Sequence, residues 1–368
     1  MELSALILLL IKGLLATILP AAIVYMSSDP NKYRKLVWVT AFLTFDLIVF
    51  GAFTRLTDSG LGCPDWPGCY GAANPFLAHA EISRAEAAMP TGPVTVVKAW
   101  IEMIHRYLAM GVGALCLAIM ATSWYQWRKT RRIEYQPALP TALLVAVCVQ
   151  GAFGAWTVTL KLQPVIVTIH LLLGMGLLAL MCWLGARQNQ AGATPAAAPA
   201  GASALRPLAL AAAVVLVVQI GLGGWVSTNY ATLACADFPL CNGNLIPEMD
   251  FEHGFTLWRE LGKTAAGSYL PFSALTAIHW VHRNFAYVVL LIIGWTAWRA
   301  MGHPALRTTG RRLAIVLAAQ AATGIATVYL EFPLAIAVLH NAGAALLVVL
   351  VTMLNYKTKH SLGAPAHA

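Results

Sequence analysis

Residues 165–184 read VIVTIHLLLGMGLLALMCWL, the centre of an apolar run over 165–186 that contains no Asp, Glu or Lys. A helix of about 20 residues spans about 30 Å, the thickness of the hydrocarbon core of a bilayer. Eight further apolar runs lie at about 4–26, 36–54, 97–126, 138–159, 208–228, 271–298, 313–330 and 334–355. Because backbone polar groups in lipid must be satisfied within the segment, each run is predicted to be a helix. We therefore predict an all-α polytopic membrane protein with about nine spans.

The composition agrees with this prediction. The 368-residue chain is 59% hydrophobic and 11% charged, whereas soluble domains carry about 25% charged residues. Such a chain cannot cover a soluble surface with polar groups, and disordered, collagen and coiled-coil classes are excluded for the same reason. The net charge of +9 is attributed to membrane topology. Aromatic residues do not interleave with Lys and Arg, so no nucleic-acid partner is expected.

Lys and Arg collect in alternate connections between the spans, fifteen in one set and six in the other. The positive-inside rule puts the richer set in the cytoplasm and the segments 55–96 and 229–270 on the exported side. The C-terminus is then cytoplasmic. The run at 4–26 is interpreted as a retained helix rather than a signal peptide, because it is long, carries Lys12 and lacks a small-residue cleavage site.

The chain contains an internal repeat. The loop motif CPDWPGC over 63–69 matches CADFPLC over 235–241, and QGAFGAWTV over 150–158 matches QAATGIATV over 320–328. His170 parallels His340, and the pair His105-Arg106 parallels His282-Arg283. Each half holds four spans, and an even number keeps both halves in the same orientation, so a pseudo-two-fold axis along the membrane normal is expected.

The predicted organisation has five parts. An extra N-terminal helix over 1–30 precedes a first four-helix bundle over 31–187. An Ala-, Gly- and Pro-rich cytoplasmic linker over 188–206 is expected to be flexible. A second four-helix bundle follows over 207–356, and a cytoplasmic tail over 357–368 ends the chain.

Four of the seven cysteines form two pairs in the exported loops, Cys63 with Cys69 and Cys235 with Cys241. An oxidising compartment favours disulfides in both pairs. They are interpreted either as loop staples or as thiol–disulfide couples that exchange electrons. A zinc site has less support, because no His lies close to either pair. The remaining Cys116, Cys148 and Cys182 lie singly inside helices and are interpreted as small buried hydrophobes.

Four histidines lie inside the apolar helices, in the outer half of the bilayer and two in each half of the chain: His105, His170, His282 and His340. Ionisable groups at membrane depth are expensive and usually functional. Two imidazoles that face each other in an apolar bundle are what a haem with two axial His ligands requires. Zinc and copper are alternatives, but the absence of a third ligand and a Gly-rich lining favour a macrocycle. The expected lining is Gly111, Gly113, Gly174, Gly176 and Gly343.

The two halves differ three residues before the first histidine, where Glu102 in one matches His279 in the other. This i, i+3 spacing turns both side chains toward the expected haem pocket. A buried carboxylate is costly without a partner or a function, so Glu102 is interpreted as a catalytic carboxylate. The alternative is that it only pairs with Arg106 or with neighbouring backbone groups. Arg106 and Arg283 are candidates to bind haem propionates.

Several ionisable residues are expected to have no part in the chemistry. Lys12 and Asp46 lie inside apolar runs but have no counterpart in the repeat, so structural pairing is expected for both. The histidines in loops and tails are given no role: His79, His253, His303, His360 and His367.

Residues 51–69, GAFTRLTDSGLGCPDWPGC, and residues 102–106, EMIHR, together with the paired Cys and His of both halves, resemble the haem A synthase family. The resemblance covers about 36–356 and omits the first helix. It implies an iron-dependent membrane oxidoreductase that oxidises the C8 methyl of haem O to a formyl group in haem A biosynthesis. It also implies an eight-helix core and a bacterial cytoplasmic membrane, with the Cys-bearing loops in the periplasm.

Carried over by position, the resemblance implies that His105 and His170 hold the iron of the substrate haem O. His282 and His340 would be the axial ligands of a cofactor haem b, and Glu102 the catalytic acid. The expected partners are an electron-transfer protein, the bilayer and the enzyme that supplies haem O. One alternative is a di-haem cytochrome that passes electrons between the exported thiol pairs and quinone. A transporter is a third class, but the intramembrane polar groups lie at one depth rather than along a path.

Overall fold

The computed structural model describes residues 3–190, 198 and 200–360, and its regular structure there is helical apart from isolated β-bridges in loops. The elements are α1 Leu3–Leu15, α2 Ile18–Met26, α3 Lys32–Leu56, α4 His79–Ala88, α5 Val96–Thr130, a 3₁₀ turn Ile133–Tyr135, α6 Ala138–Thr159, α7 Pro164–Gln188, α8 Ala200–Ser203, α9 Arg206–Thr228, α10 Phe251–Gly254, α11 Phe272–Met301, α12 Arg307–Tyr329 and α13 Leu334–Lys359. Among the described residues nine segments are long and apolar enough to cross a membrane. The predicted all-α class and number of spans are confirmed.

The first span contains a break that the hydropathy pattern does not show. Helix α1 ends at Leu15 and α2 begins at Ile18. Pro20 lies in the first turn of α2, where it lacks an N–H and its ring would clash with the carbonyl four residues earlier. The Thr17 hydroxyl donates to the Leu14 carbonyl at 2.6 Å. Helix α1 packs on α5 and α2 packs on α3, so the extra span lies beside the first half of the chain.

The eight other spans pack in two rings of four. In the first half, α3 packs on α5, α5 on α6, α6 on α7 and α7 on α3. In the second half the same cycle runs through α9, α11, α12 and α13. The rings meet through α7, α9, α13 and α3. The same packing partners therefore occur at corresponding positions of each half.

One hydrophobic cluster joins the two rings. It combines Leu178 of α7 with Ile293 of α11, Leu313 of α12 and Leu354 of α13, all at most 1% exposed. Many other large apolar side chains face outward; Leu291 is 72% exposed. Outward apolar side chains suit contact with lipid, which is the expected solvent for this surface.

The predicted linker and tail are described only in part. Residues 191–197 and 199 of the linker, and residues 361–368 of the tail, lie outside the described residues. In the described part of the linker, α8 packs on α13, and Ala202 and Leu205 are buried. Helix α13 extends to Lys359, three residues into the segment predicted as tail.

Candidate functional site

The four intramembrane histidines lie at opposite corners of the two rings. His105 is on α5 and His170 on α7, and each of these helices packs on both α3 and α6. His282 on α11 and His340 on α13 have the same relation to α9 and α12. The imidazoles of each pair are close enough to interact electrostatically. The structure thus brings two histidines together inside each bundle.

Each histidine packs against a glycine of a neighbouring helix. A methyl group added at that glycine would lie about 3 Å from the imidazole, which is tighter than ordinary van der Waals contact. Measured from this added methyl carbon, the distances are 3.0 Å at Gly51 to His105 Nε2, 3.1 Å at Gly154 to His170 Cε1, 2.9 Å at Gly223 to His282 Cε1 and 3.0 Å at Gly324 to His340 Cε1. Glycine at these positions lets the backbone approach the ring closely.

The glycine lining predicted from the sequence is wrong in part. A methyl group added at Gly111 would lie 3.1 Å from Ala16 Cβ, so Gly111 faces the first span, and a methyl group at Gly113 or Gly176 would meet nothing within 4 Å. Gly174 and Gly343 face glutamine side chains instead of imidazoles. The hydropathy of an apolar helix does not reveal which of its sides faces a neighbouring imidazole. The correct glycines occupy matched positions of the repeat, which is the signal that could have found them.

Glutamines are polar neighbours of three histidines. Gln150 Nε2 lies 3.4 Å from His170 Nε2, Gln320 Nε2 lies 3.2 Å from His340 Nε2, and Gln219 Nε2 lies 3.3 Å from His282 Nδ1. The Oε1 atoms of all three glutamines and Nδ1 of His170 are buried without a partner. Sequence reasoning gave these glutamines no role, although Gln150 and Gln320 recur in the repeat.

These residues fit a haem with two axial imidazole ligands. The interior is apolar, two imidazoles approach from opposite corners, and orphaned polar atoms remain at the site, each at a cost of about 1–3 kcal/mol when unsatisfied. Within residues 3–190, 198 and 200–360, no three His, Cys, Asp or Glu side chains converge. A zinc or copper site would need more ligands than two imidazoles.

Glu102 is 4% exposed and both of its carboxylate oxygens have partners. Oε1 pairs with Arg106, as the structural alternative predicted, and Oε2 accepts the Cys63 backbone N–H at 2.8 Å. His279 repeats this contact in the second bundle, where its Nδ1 accepts the Cys235 N–H at 3.2 Å. The residue three positions before the first histidine of each bundle therefore connects α5 or α11 to the first cysteine of a loop pair.

Arg106 and Arg283 hold the disulfide loops, which are residues 57–95 in the first half and 229–271 in the second. The Arg106 guanidinium donates to the backbone carbonyls of Asp65 (3.0 Å), Pro67 (3.2 Å) and Gly68 (2.6 Å). The Arg283 guanidinium donates in the same way to the backbone carbonyls of Asp237 (2.8 Å), Pro239 (3.4 Å) and Leu240 (3.0 Å). A role in binding propionates stays a prediction for both arginines.

Both predicted cysteine pairs are disulfide-bonded, Cys63 with Cys69 and Cys235 with Cys241. All four half-cystines are at most 2% exposed. Of the single cysteines, Cys116 and Cys182 are buried as predicted, but Cys148 is exposed. Cys148 lies on an outward face of α6, so burial does not explain it.

The two remaining charged residues inside apolar spans, Lys12 and Asp46, differ in whether they have a contact partner. Lys12 Nζ lies over the Tyr107 ring, 5.6 Å from its centre, a cation–π contact rather than an ion pair. Asp46 is exposed on α3, and across the described ranges no ion pair includes it. The structural pairing predicted for Asp46 is therefore not found.

Asp237 provides a pH-dependent support for the second disulfide loop. Its carboxylate accepts the N–H groups of Gly243 at 3.0 Å and Asn242 at 2.5 Å. These bonds, led by that of Gly243, and the charge of Arg283 lower the pKa of Asp237 below its ordinary value. A carboxyl whose pKa is lower in the folded state stabilises the fold above its unfolded pKa, and this stabilisation is lost as the pH falls through its folded pKa.

We therefore expect reduction of Cys235–Cys241 by a water-soluble phosphine to become faster as the pH falls below about 4, the ordinary range of an aspartate. Reduction of each pair can be followed by alkylation and mass spectrometry. Asp237→Asn, which keeps the shape but not the charge, should give a faster reduction that no longer depends on this titration. An equal pH dependence in the variant would exclude Asp237 as the cause.

Comparison with known proteins gives one consistent result. The profile of a family described as cytochrome oxidase assembly protein, COX15-CtaA, matches residues 34–352. A heme A synthase of Shewanella oneidensis is 38% identical over 89% of this chain and 97% of its own length. Heme A synthases of Methylobacterium sp. strain 4-46 (31%) and Chelativorans sp. strain BNC1 (29%) match 85% and 87% of this chain and 88% and 90% of their own lengths.

Proposed function

The chain belongs to the COX15-CtaA family of cytochrome oxidase assembly proteins, and from this premise we propose that it is a haem A synthase. The reaction that we assign to it is oxidation of the C8 methyl of haem O to a formyl group. The observation that carries the proposal is the difference between two otherwise matched sites. Each bundle holds a histidine pair beside a disulfide loop, but only the first has a carboxylate, Glu102, where the second has His279.

The first bundle, over 31–187, is the proposed substrate site, where His105 and His170 would hold haem O. The second, over 207–356, is the proposed cofactor site, where His282 and His340 would hold a haem b. When bound, a haem supplies one-electron chemistry at its iron. The glycine contacts position the four imidazoles, and the bundle interior limits the access of water.

Glu102 is the proposed catalytic residue of the first bundle. Removing hydrogen from a methyl group releases protons as well as electrons, so a base is needed close to the reacting carbon. The Arg106 guanidinium and the Cys63 N–H orient the carboxylate. Oε2 is the atom that we assign to take up a proton, because its partner is a neutral amide rather than the guanidinium. The Cys63 amide stays available to hold the carboxyl group in either protonation state.

A di-haem electron carrier is not favoured as an alternative. Such a carrier would bind the same haem in both bundles and leave it unchanged, and it would not need a carboxylate in only one of them. The cysteine pairs do not decide between the two functions, because both are disulfide-bonded and buried in matched loops.

The proposed setting is a bacterial cytoplasmic membrane. The multi-pass character follows from the nine apolar segments among the described residues. The charge bias supports a periplasmic position for the disulfide loops and a cytoplasmic C-terminus. An electron-transfer protein, and the enzyme that supplies haem O, are the proposed partners. The first span packs on α5, the helix of Glu102 and His105.

The identity of the bound porphyrins tests the function. The full chain should be purified from cells that make haem O and from matched cells that do not, and its porphyrins extracted and identified by mass spectrometry. We expect haem B in both preparations, with haem O or haem A added only in the first. Haem B alone in both would contradict the proposed function and favour the electron carrier.

A further inference from the structure

The two histidine sites differ in what meets the imidazole Nδ1 atoms. In the second bundle, His340 Nδ1 lies 3.0 Å from the Thr323 hydroxyl and His282 Nδ1 lies 3.3 Å from Gln219 Nε2. In the first bundle, His170 Nδ1 is buried without a partner. The repeat puts apolar residues at the positions that match Thr323 and Gln219, namely Phe153 and Leu47. In the first bundle Gln150 contacts His170 at Nε2 instead. Among the described residues, a hydroxyl in contact with Nδ1 of one of these four imidazoles is therefore found in the second bundle only.

The contacts of Thr323 favour one tautomer of His340. The Thr323 hydroxyl has one hydrogen and lies 3.0 Å from the Gln320 carbonyl oxygen, which can only accept a hydrogen bond. Both contacts are hydrogen bonds only when the hydroxyl donates to this carbonyl and accepts from His340, and Nδ1 then carries the proton. A neutral imidazole protonated at Nδ1 has its lone pair on Nε2. The Gln320 amide at 3.2 Å from Nε2 is consistent with this, since an amide N–H donates to a lone pair.

We propose that Thr323 is a positioning residue that holds His340 in the Nδ1–H tautomer, and that this support makes the second bundle retain its porphyrin while the first exchanges one. A hydrogen bond from the distal nitrogen of a ligand histidine orients the ring and raises the basicity of the ligating nitrogen. His170 has no such bond, so its ring is less restrained. This inference rests on the proposed function, which needs one resident haem and one porphyrin that enters and leaves.

Thr323→Val tests the inference, because valine keeps the shape of threonine and removes the hydroxyl. Transfer of haem B from the purified full chain to an excess of apomyoglobin should become about tenfold faster, the lower end of the usual effect of such partners. The reduction potential of the resident haem should rise, since a less basic ligand stabilises ferric iron less. Thr323→Ser keeps the hydroxyl and should restore both values.

Thr327→Val is the matched control. Thr327 lies one turn further along α12, and its hydroxyl donates to the Gly324 carbonyl at 2.6 Å without touching a histidine. Its replacement removes a comparable hydroxyl but should leave haem transfer and potential near the wild-type values. Equal effects of the two valine variants, or wild-type behaviour of Thr323→Val, would overturn the inference. If Thr323→Val binds no haem, the content of haem B in Thr323→Ser decides the question. Haem B that stays bound in Thr323→Ser supports the role of the hydroxyl, and loss of haem B from both variants contradicts it.

The reciprocal substitution addresses the first bundle. Phe153→Thr puts a hydroxyl at the position that corresponds to Thr323, and the porphyrin of the first bundle should then leave more slowly than in the wild type. Unchanged release would contradict the proposed cause of exchange. The haem B readout of Thr323→Val needs no haem O, so it stands even if the porphyrin extraction disproves the synthase function.

Discussion

Replacement of Glu102 by Gln is expected to lower haem A formation by at least about a hundredfold, while the resident haem b stays bound. Positioned acid–base groups contribute about 10²–10⁴-fold to rates, and Gln cannot take up a proton. It keeps the size of Glu, and its Oε1 can still accept the Cys63 N–H that Glu102 accepts at 2.8 Å. The substitution therefore removes the charge with little change in shape. Haem A formed by membranes supplied with haem O measures the rate, and the optical spectrum measures the haem b content.

His279→Gln is the matched control for this substitution. His279 has the same position in the second bundle and accepts the Cys235 N–H at 3.2 Å, so the variant tests whether a change beside any disulfide loop lowers activity. We expect its haem A formation to stay well above that of Glu102→Gln. Unchanged haem A formation in Glu102→Gln, with normal haem content, would remove Glu102 from the catalytic role.

Replacement of His340 by Ala is expected to remove most of the resident haem b, by at least about tenfold in haem per polypeptide. Loss of partners that only support a ligand already lowers metal affinity by 10–100-fold, and loss of the ligand itself should have no smaller effect. His282→Ala should behave in the same way, because the two imidazoles are neighbours across one bundle. Haem is measured by the pyridine haemochrome of the purified full chain.

His170→Ala separates the two bundles in this experiment. It removes the residue that corresponds to His340 and should leave the haem b content near that of the wild type, while haem A formation falls. If His170→Ala loses haem b and His340→Ala keeps it, the assignment of cofactor and substrate to the two bundles is reversed. If both keep it, the histidines are not the axial ligands.

Much of the candidate site could be predicted from the sequence because the same types of residue occur at matched positions in both halves of the repeat. The repeat predicts matched roles for four histidines, and the structure brings them together in two pairs, His105 with His170 and His282 with His340. The two disulfides were expected because both cysteine pairs lie in loops predicted to be exported, where an oxidising compartment favours them. What could not be predicted were contacts between side chains of different helices, such as Thr323 to His340. These depend on how each helix is rotated, and an apolar helix that is hydrophobic all round gives no amphipathic pattern from which to infer the rotation.

The number and approximate positions of the membrane spans were determined by the sequence alone, because lipid permits only long apolar helices that satisfy their own backbone hydrogen bonds. Even the break at Leu15 has a local cause in Pro20. The tertiary structure alone decided that Glu102 meets the Cys63 amide, that Gly51 and Gly324 admit the imidazoles, and that Thr323 contacts His340. Each of these contacts joins groups from different turns or helices, and its distance depends on helix packing, which hydropathy does not specify.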